Sequence, residues 1–282
     1  MVAAVFLFAI LDATAKWLGQ SYAPVQIVFF QHFFGLIPVA VLVWRSGGFA
    51  ALRTRRPFAH ALRGGLLFAS MLLFYTALRG LPLAEAIAVS FTLPLYITAL
   101  SGPLLGEAVG VRRWVAVIIG FLGALIMVRP GTEAFRPEAL LVLTSAFIAA
   151  LAMLLTRWLT RSETDVALVT HTTLIAGLAS VPFASLAWQA PSAGDLGLFV
   201  LVGIAGGSAA YLMVVAYRNA PAAVVAPFDY SSLIWATVFG WILWRESPEP
   251  AVWIGGAIVV AAGVYITRRE MALGRSAREM SR

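Results

Sequence analysis

The chain has 282 residues, of which 61% are hydrophobic and 12% charged, roughly half the charged share of a soluble domain. No soluble fold of this size hides that much apolar surface, so the composition points to a membrane protein. Cysteine is absent, which excludes disulfides, thiolate catalysis and thiolate metal sites. The net charge of +7 sits mostly in loops between apolar runs, where it reports topology rather than a nucleic-acid partner.

Met1 opens directly onto apolar sequence without a basic n-region, which argues against a cleaved signal peptide. The first helix begins abruptly, as if a few native residues precede it. A membrane-spanning helix needs about 20 mostly apolar residues. Ten segments meet this, at roughly 1–18, 25–44, 62–79, 83–105, 111–129, 138–158, 165–188, 195–217, 221–244 and 250–267. Turn and charge signals divide them, among them Ser46-Gly47-Gly48, Arg129-Pro130-Gly131 and Glu246-Ser247-Pro248. Trp17, Trp44, Trp114, Trp158, Trp188, Trp244 and Trp253 fall at segment ends, where an interfacial aromatic belt belongs.

A shift of about 139 positions lays the second half of the chain on the first. Gly64 then meets Gly203, Arg79 meets Arg218, Pro82 meets Pro221, Glu107 meets Glu246, Trp114 meets Trp253 and Arg129 meets Arg268. Phe91 meets Tyr230, and Tyr96 meets Trp235. A period this long describes a half-protein rather than a solenoid unit. Residues 1–131 form the first five-helix repeat, 132–268 the second, and 269–282 a basic tail. Five helices is an odd number, so the second repeat enters the membrane inverted, an architecture recurrent in secondary transporters.

Fifteen loop and tail arginines lie on one side, against Arg79, Arg129, Arg136 and Arg245 on the other. The positive-inside rule then places both termini in the cytoplasm of a bacterial inner-membrane protein. The connection Arg45–Arg63 is polybasic and suited to anionic headgroups. The expected fold is therefore all-α and polytopic, with ten transmembrane helices in two inverted repeats.

Each half carries an AL-x-x-x-P-x-A-like helical hairpin, and the next helix ends at Gly-Glu or Arg-Glu. With Lys16 in DATAKWL, these features resemble the drug/metabolite transporter superfamily and, within it, the ten-helix EamA group. The likeness covers essentially the whole chain. It implies export of small metabolites, amino acids or toxic compounds. One departure stands out: many members have an arginine seven residues after the proline that opens the second helix, and here that position is Gln31, followed by His32.

Charges at membrane depth are costly and are functional candidates by default. Asp12 and Lys16 are one helical turn apart and read either as a self-neutralising pair or as a gate opened by a zwitterion; Lys16 also lies near enough to the outer end to snorkel. Gln31 and His32 lie about 10 Å into the second helix by helical rise, and His171 lies at a similar depth from the opposite face. Each reads as a carboxylate contact, a proton relay or an interhelical hydrogen bond. Asp229 follows Pro227 in APFDYSS, where a missing backbone donor loosens the helix, and its repeat mate is Ser90. A carboxylate there takes a proton or a cation. Glu85, Glu107 and Glu246 complement helix dipoles. Tyr75, Phe91, Tyr96, Tyr211, Tyr230 and Trp235 pack helices or, as a set, line a cavity suited to a flat side chain or an organic cation. Gly203-x-x-x-Gly207 and Gly120-x-x-x-Ala124 are spacings for close helix contact, and Pro38, Pro94, Pro103, Pro182 and Pro227 are places to bend.

There is no HExxH, Gly-x-Ser-x-Gly, P-loop or metal-ligand spacing, so the reading is not an enzyme, and no cofactor or metal is expected. Channel and receptor readings lack a symmetric filter or charged ring. The expectation is an alternating-access secondary transporter, monomeric or homodimeric. Its expected cargo is an amino acid, above all an aromatic or hydrophobic one; an amphipathic cation such as methyl viologen is the alternative.

Overall fold

A computed structural model describes residues 1–106, 109–219 and 225–280, with side chains described except at 217, 218, 226, 227 and 270–280. Among these residues the regular structure is all helical, without strands. Helix α1 spans Val2–Leu18, α2 Pro24–Arg45 and α3 Pro57–Ala77, with a short 3-10 turn at Gly48–Leu52 between the last two. The fourth span is interrupted: α4 is Leu83–Ser90 and α5 Leu93–Leu105. Helix α6 is Val111–Val128, α7 Glu138–Leu159, α8 Asp165–Leu186 and α9 Ala193–Asn219. A 3-10 segment, Ala226–Ser231, leads into α10, Ser232–Trp244, and α11 is Pro250–Met280.

Local chemistry sets these limits. Pro24, Pro57 and Pro250 open their helices, where a missing N–H costs nothing. Thr164 caps α8 by accepting from the Ala167 N–H at 3.1 Å. Gly106 after α5 and Arg245 after α10 both turn left-handed, at φ 69° and 57°, the usual way to stop a helix. Eight described spans are long and apolar enough to cross a membrane, α4 and α5 counting as one. Helix α1, with 17 residues, and α10, with 13, fall short of that length individually.

The break in the fourth span has a chemical cause. Pro94 cannot donate to the Ser90 carbonyl, as residue i must to residue i−4 in a helix. The ladder fails there, and the Ser90 hydroxyl turns back to the Ile87 carbonyl at 2.7 Å. The shift of 139 positions carries Leu93–Leu105 onto Ser232–Trp244, end to end, and Gly106 onto Arg245. The 3-10 segment before α10 thus occupies the register of the break, with Pro227 inside it.

Helix α2 packs between α8 and α9, and α3 between α7 and α8. Helix α1 lies on α9 and α10, α7 also holds α5, α4 meets α10, and α6 pairs with α11. Exchanging the two halves carries most of these pairs onto one another: α1–α9 becomes α7–α3, and α2–α9 becomes α8–α3. Glycines set the closest approaches. A methyl on Gly203 would collide with Phe34 Cβ and come within 2.9 Å of the Gly35 amide nitrogen, while one on Gly207 would meet Pro38 and the Gly35 carbonyl. The Gly203-x-x-x-Gly207 stripe is therefore the seam between α9 and α2.

One sequence boundary needs correction. Helix α3 begins at Pro57 rather than at 62, which takes Arg63 out of the loop. Its guanidinium is buried and donates to Thr156 Oγ1 at 2.6 Å, to the Leu168 carbonyl at 3.0 Å and to Thr172 Oγ1. It is a bracket joining α3, α7 and α8. Helix α11 runs on to Met280, past the end of its membrane-length stretch at Arg269.

Candidate substrate pathway

Helices α1, α2 and α3 bring three of the expected residues together. The buried Tyr75 hydroxyl donates to Gln31 Oε1 at 2.6 Å. Asp12 lies close enough for its carboxylate to act on that phenol. Asp12 itself is half-buried. It makes no side-chain hydrogen bond or ion pair among the described residues. Gly206 of α9 backs the cluster, where a methyl would sit 3.3 Å from Gln31 Nε2 and crowd Leu11.

The interrupted spans supply the second group. Phe91 and Tyr230, mates in the repeat, meet edge to face with ring centroids 5.1 Å apart. Asp229 precedes Tyr230 in the 3-10 segment, half-buried, with its carboxylate within electrostatic reach of the Tyr230 hydroxyl. Helix α1 runs past this segment, and its Phe6 meets Trp235 at 4.7 Å. The Tyr230 hydroxyl rests against Gly263, where a methyl would collide with it. Gly263→Ala is expected to push the ring out of line and lower transport several-fold, with the thermal midpoint falling by only a few degrees; equal transport by the variant in vesicles would show that the ring's placement is irrelevant.

Other expected residues lie elsewhere. Tyr96 packs on Phe121 at 4.9 Å and Phe147 at 5.5 Å. Tyr211 joins a cluster of Val39, Leu42, Val43 and Val166. His32 is buried, its Nδ1 2.9 Å from the Val28 carbonyl, with its Cβ facing Gly177 of α8. His171 bonds the Ala167 carbonyl at 2.7 Å, and its ring lies 4.4 Å from that of His60. Gln31 lies near the start of α2 and His171 near the start of α8, on opposite sides, so the structure does not bring them together. Glu107 and the Arg218 and Pro227 side chains lie outside the described residues.

The Asp12–Lys16 pairing is the main correction. Lys16 Nζ turns instead to Glu246 Oε1 at 2.5 Å and to the Leu81 carbonyl at 2.7 Å, and it stands 5.0 Å over the Trp244 ring. Glu246 Oε2 also accepts from the Leu83 N–H at 3.0 Å. One turn of α1 is long enough to aim the two side chains apart, and a nearby carboxylate with two acceptors outcompetes a helical neighbour. Further ties close the same, arginine-poor end. Arg136 donates to the Gly80 carbonyl at 3.1 Å, Tyr22 to Asp195 at 2.8 Å, Gln26 to the Gln189 carbonyl at 2.7 Å, and Arg129 pairs with Glu249. The Arg129 guanidinium holds the Glu249 carboxyl below its usual range, so this tie persists at neutral pH and is lost only on acidification below the ordinary carboxylate range.

Removing one member of a buried pair costs roughly 3–5 kcal/mol, and Glu246 keeps 24% of its side chain exposed. Glu246→Gln is therefore expected to lower stability by about 2 kcal/mol, below that range. Adding Lys16→Met should restore part of the loss in a detergent melt; full additivity of the two changes would mean that the pair does not act as a unit.

Two copies of one family pattern, described as the EamA-like transporter family, match residues 1–129 and 136–268. The chain belongs to the EamA-like transporter family. It is thus a multi-pass membrane transporter of small metabolites within the drug/metabolite transporter superfamily. Similar proteins include a riboflavin transporter of Rhizobium johnstonii, 32% identical over 96% of this chain and 90% of its own. An S-adenosylmethionine uptake transporter of Rickettsia felis is 29% identical over 92% and 88%, and a pseudopaline exporter of Pseudomonas aeruginosa is 25% identical over 95% and 94%. A crystal structure of a protein superposes with a TM-score of 0.65 over 96% of this chain and 98% of its own at 21% identity, which speaks for the fold alone.

In this EamA-like transporter three polar contributions go beyond the sequence expectations: the Arg63 bracket, the buried His60 and the partner role of Glu246. His60 is 1% exposed and approaches Glu163 at 3.5 Å. Its signal was its place just past Pro57, a helix-opening proline, which puts His60 and Arg63 one turn apart.

Proposed function

We propose that this chain is a secondary transporter of a small, flat, nitrogen-bearing metabolite, with riboflavin and S-adenosylmethionine the first cargoes to test. The observation that carries this reading is the meeting of the repeat mates Phe91 and Tyr230 at the two helix breaks, with α1 passing beside them and bearing Asp12. Rings at right angles offer a face to a flat heterocycle. A carboxylate without a protein partner suits an ammonium, sulfonium or ring N–H donor. Both named cargoes of similar proteins contain a fused nitrogen heterocycle, which favours them over the free amino acids that the polar residues alone suggest.

The two halves are inverted repeats with cytoplasmic termini, and they rock about the paired breaks. The correspondence of most helix pairs under exchange of the halves and the skewed arginine distribution support this arrangement. Closure at the arginine-poor end, through Lys16–Glu246 and its neighbours, corresponds to a state shut on the outside.

The test is flux into liposomes carrying the pure protein, comparing riboflavin, S-adenosylmethionine, tryptophan and methyl viologen, with and without a pH gradient. Saturable flux of either heterocycle at least tenfold above the other two supports the reading. Saturable flux of tryptophan alone returns the cargo to amino acids, and flux of methyl viologen alone to organic cations.

A further inference from the structure

Where α2 gives way to α3, and α7 to α8, the chain forms a polar recess of about 600 Å3 lined by Arg53, Thr54, Arg55, Arg56, Ser162 and Glu163. Its walls are fixed. Thr164 Oγ1 donates to the Ala51 carbonyl at 2.8 Å, joining the two loops. Thr54 Oγ1 accepts from the Arg56 N–H at 2.9 Å, and the Arg56 guanidinium lies 4.0 Å over the Trp158 ring. Three arginines and one glutamate thus line the recess. Glu163 Oε2 is buried and lies 3.5 Å from His60 Nε2. Arg53 and Arg55 have no side-chain hydrogen bond or ion pair among the described residues.

The recess lies at the ends of four membrane-length helices, hence at the boundary between hydrocarbon and water. The α2–α3 connection and its two flanking helix ends also carry exposed large apolar side chains: Trp44 is 79% exposed, Phe49 88% and Phe58 81%. Aromatic groups so placed sit among lipid headgroups and upper acyl chains. A phosphate diester is the anion present at that depth, and planar guanidinium forks match its oxygens two at a time.

We propose that this recess binds the phosphate of an anionic phospholipid headgroup through Arg53 and Arg55, holding the α2–α3 connection on the membrane surface. The lipid's chains lie along Phe49 and Phe58. Arg56 serves the wall, through Trp158, more than the ligand. The assignment is independent of the cargo, because none of these residues belongs to the pathway described above.

The test is native mass spectrometry and thermal melting of the detergent-purified full chain, titrated with phosphatidylglycerol, phosphatidylcholine or inorganic phosphate. Phosphatidylglycerol is expected to remain bound and raise the melting midpoint, phosphatidylcholine to bind more weakly, and millimolar phosphate to have no effect. In the Arg53→Gln/Arg55→Gln double variant retention should fall roughly 25-fold, at about fivefold for each basic residue near an anionic surface. Arg45→Gln, an exposed arginine outside the recess, should bind as the parent does. Equal retention by parent and double variant, or equal retention of the two lipids, overturns the proposal. A midpoint raised equally by inorganic phosphate overturns the lipid assignment in favour of a soluble phosphate ligand. Each single variant serves if the double one does not purify as a monodisperse protein.

Discussion

Replacing Gly203 by leucine is expected to leave almost no folded protein. A first methyl there already collides with Phe34 Cβ and comes within 2.9 Å of the Gly35 amide nitrogen. These obstacles are backbone or directly attached to it, so no rotamer change makes room. Overpacking a core usually costs about 1–3 kcal/mol where side chains can give way. Here α9 must separate from α2 along the whole seam, because Gly207 meets Pro38 and the Gly35 carbonyl one turn further on. The loss then approaches the total stability of a typical domain, on the order of 5–15 kcal/mol. Gly203→Ala should be intermediate, near 3 kcal/mol, at the upper edge of the overpacking range. Gly65 is the control, since nothing lies within 4 Å of a Cβ added there. The readout is size-exclusion chromatography of fluorescently tagged protein extracted from membranes. A monodisperse Gly203→Leu peak of parental height would mean that α2 and α9 do not pack as described.

The seam was readable from sequence because small residues four apart in an apolar run are local information. The same holds for the broken spans. Pro94 and Pro227 mark them locally, and the repeat places Phe91 against Tyr230 in register before any coordinates. What the sequence withheld is long-range pairing. Lys16 and Glu246 stand 230 residues apart, and no spacing rule links them, whereas Asp12 stands one turn from Lys16 and invites a local pairing that the fold does not make. Arg63 misled for a different reason. It belongs by sequence to a cluster of loop arginines, yet a helix that starts at Pro57 draws it inward to Thr156 and Thr172. Charge counting assigns such a residue to topology, and only packing shows it as a bracket. Tyr96 and Tyr211 illustrate the ambiguity of membrane aromatics: their periodicity is the same whether they face a cavity or, as here, neighbouring helices.

Asp12→Asn is expected to lower transport about 10- to 100-fold while leaving the amount of folded protein unchanged. Hydrogen bonds to charged groups are worth about 1.5–3 kcal/mol, which converts to that factor in affinity for a cargo that the carboxylate holds. The fold should not notice, because Asp12 makes no side-chain hydrogen bond or ion pair among the described residues. Tyr75→Phe provides the contrast. It strips the buried Gln31 oxygen of its donor, so stability should fall by roughly 1–3 kcal/mol together with transport. Asp229→Asn should resemble Asp12→Asn in direction, since its carboxylate neighbours the ring pair from the other half of the chain. Initial rates into liposomes, normalised to protein recovered by size exclusion, separate these cases. Unchanged rates in both aspartate variants would remove the two carboxylates from the pathway and leave the aromatic pair to account for binding alone. A rate that falls in Asp12→Asn and also loses its response to a pH gradient would identify Asp12 as the proton-coupling group. A rate that falls but keeps that response assigns it to the cargo.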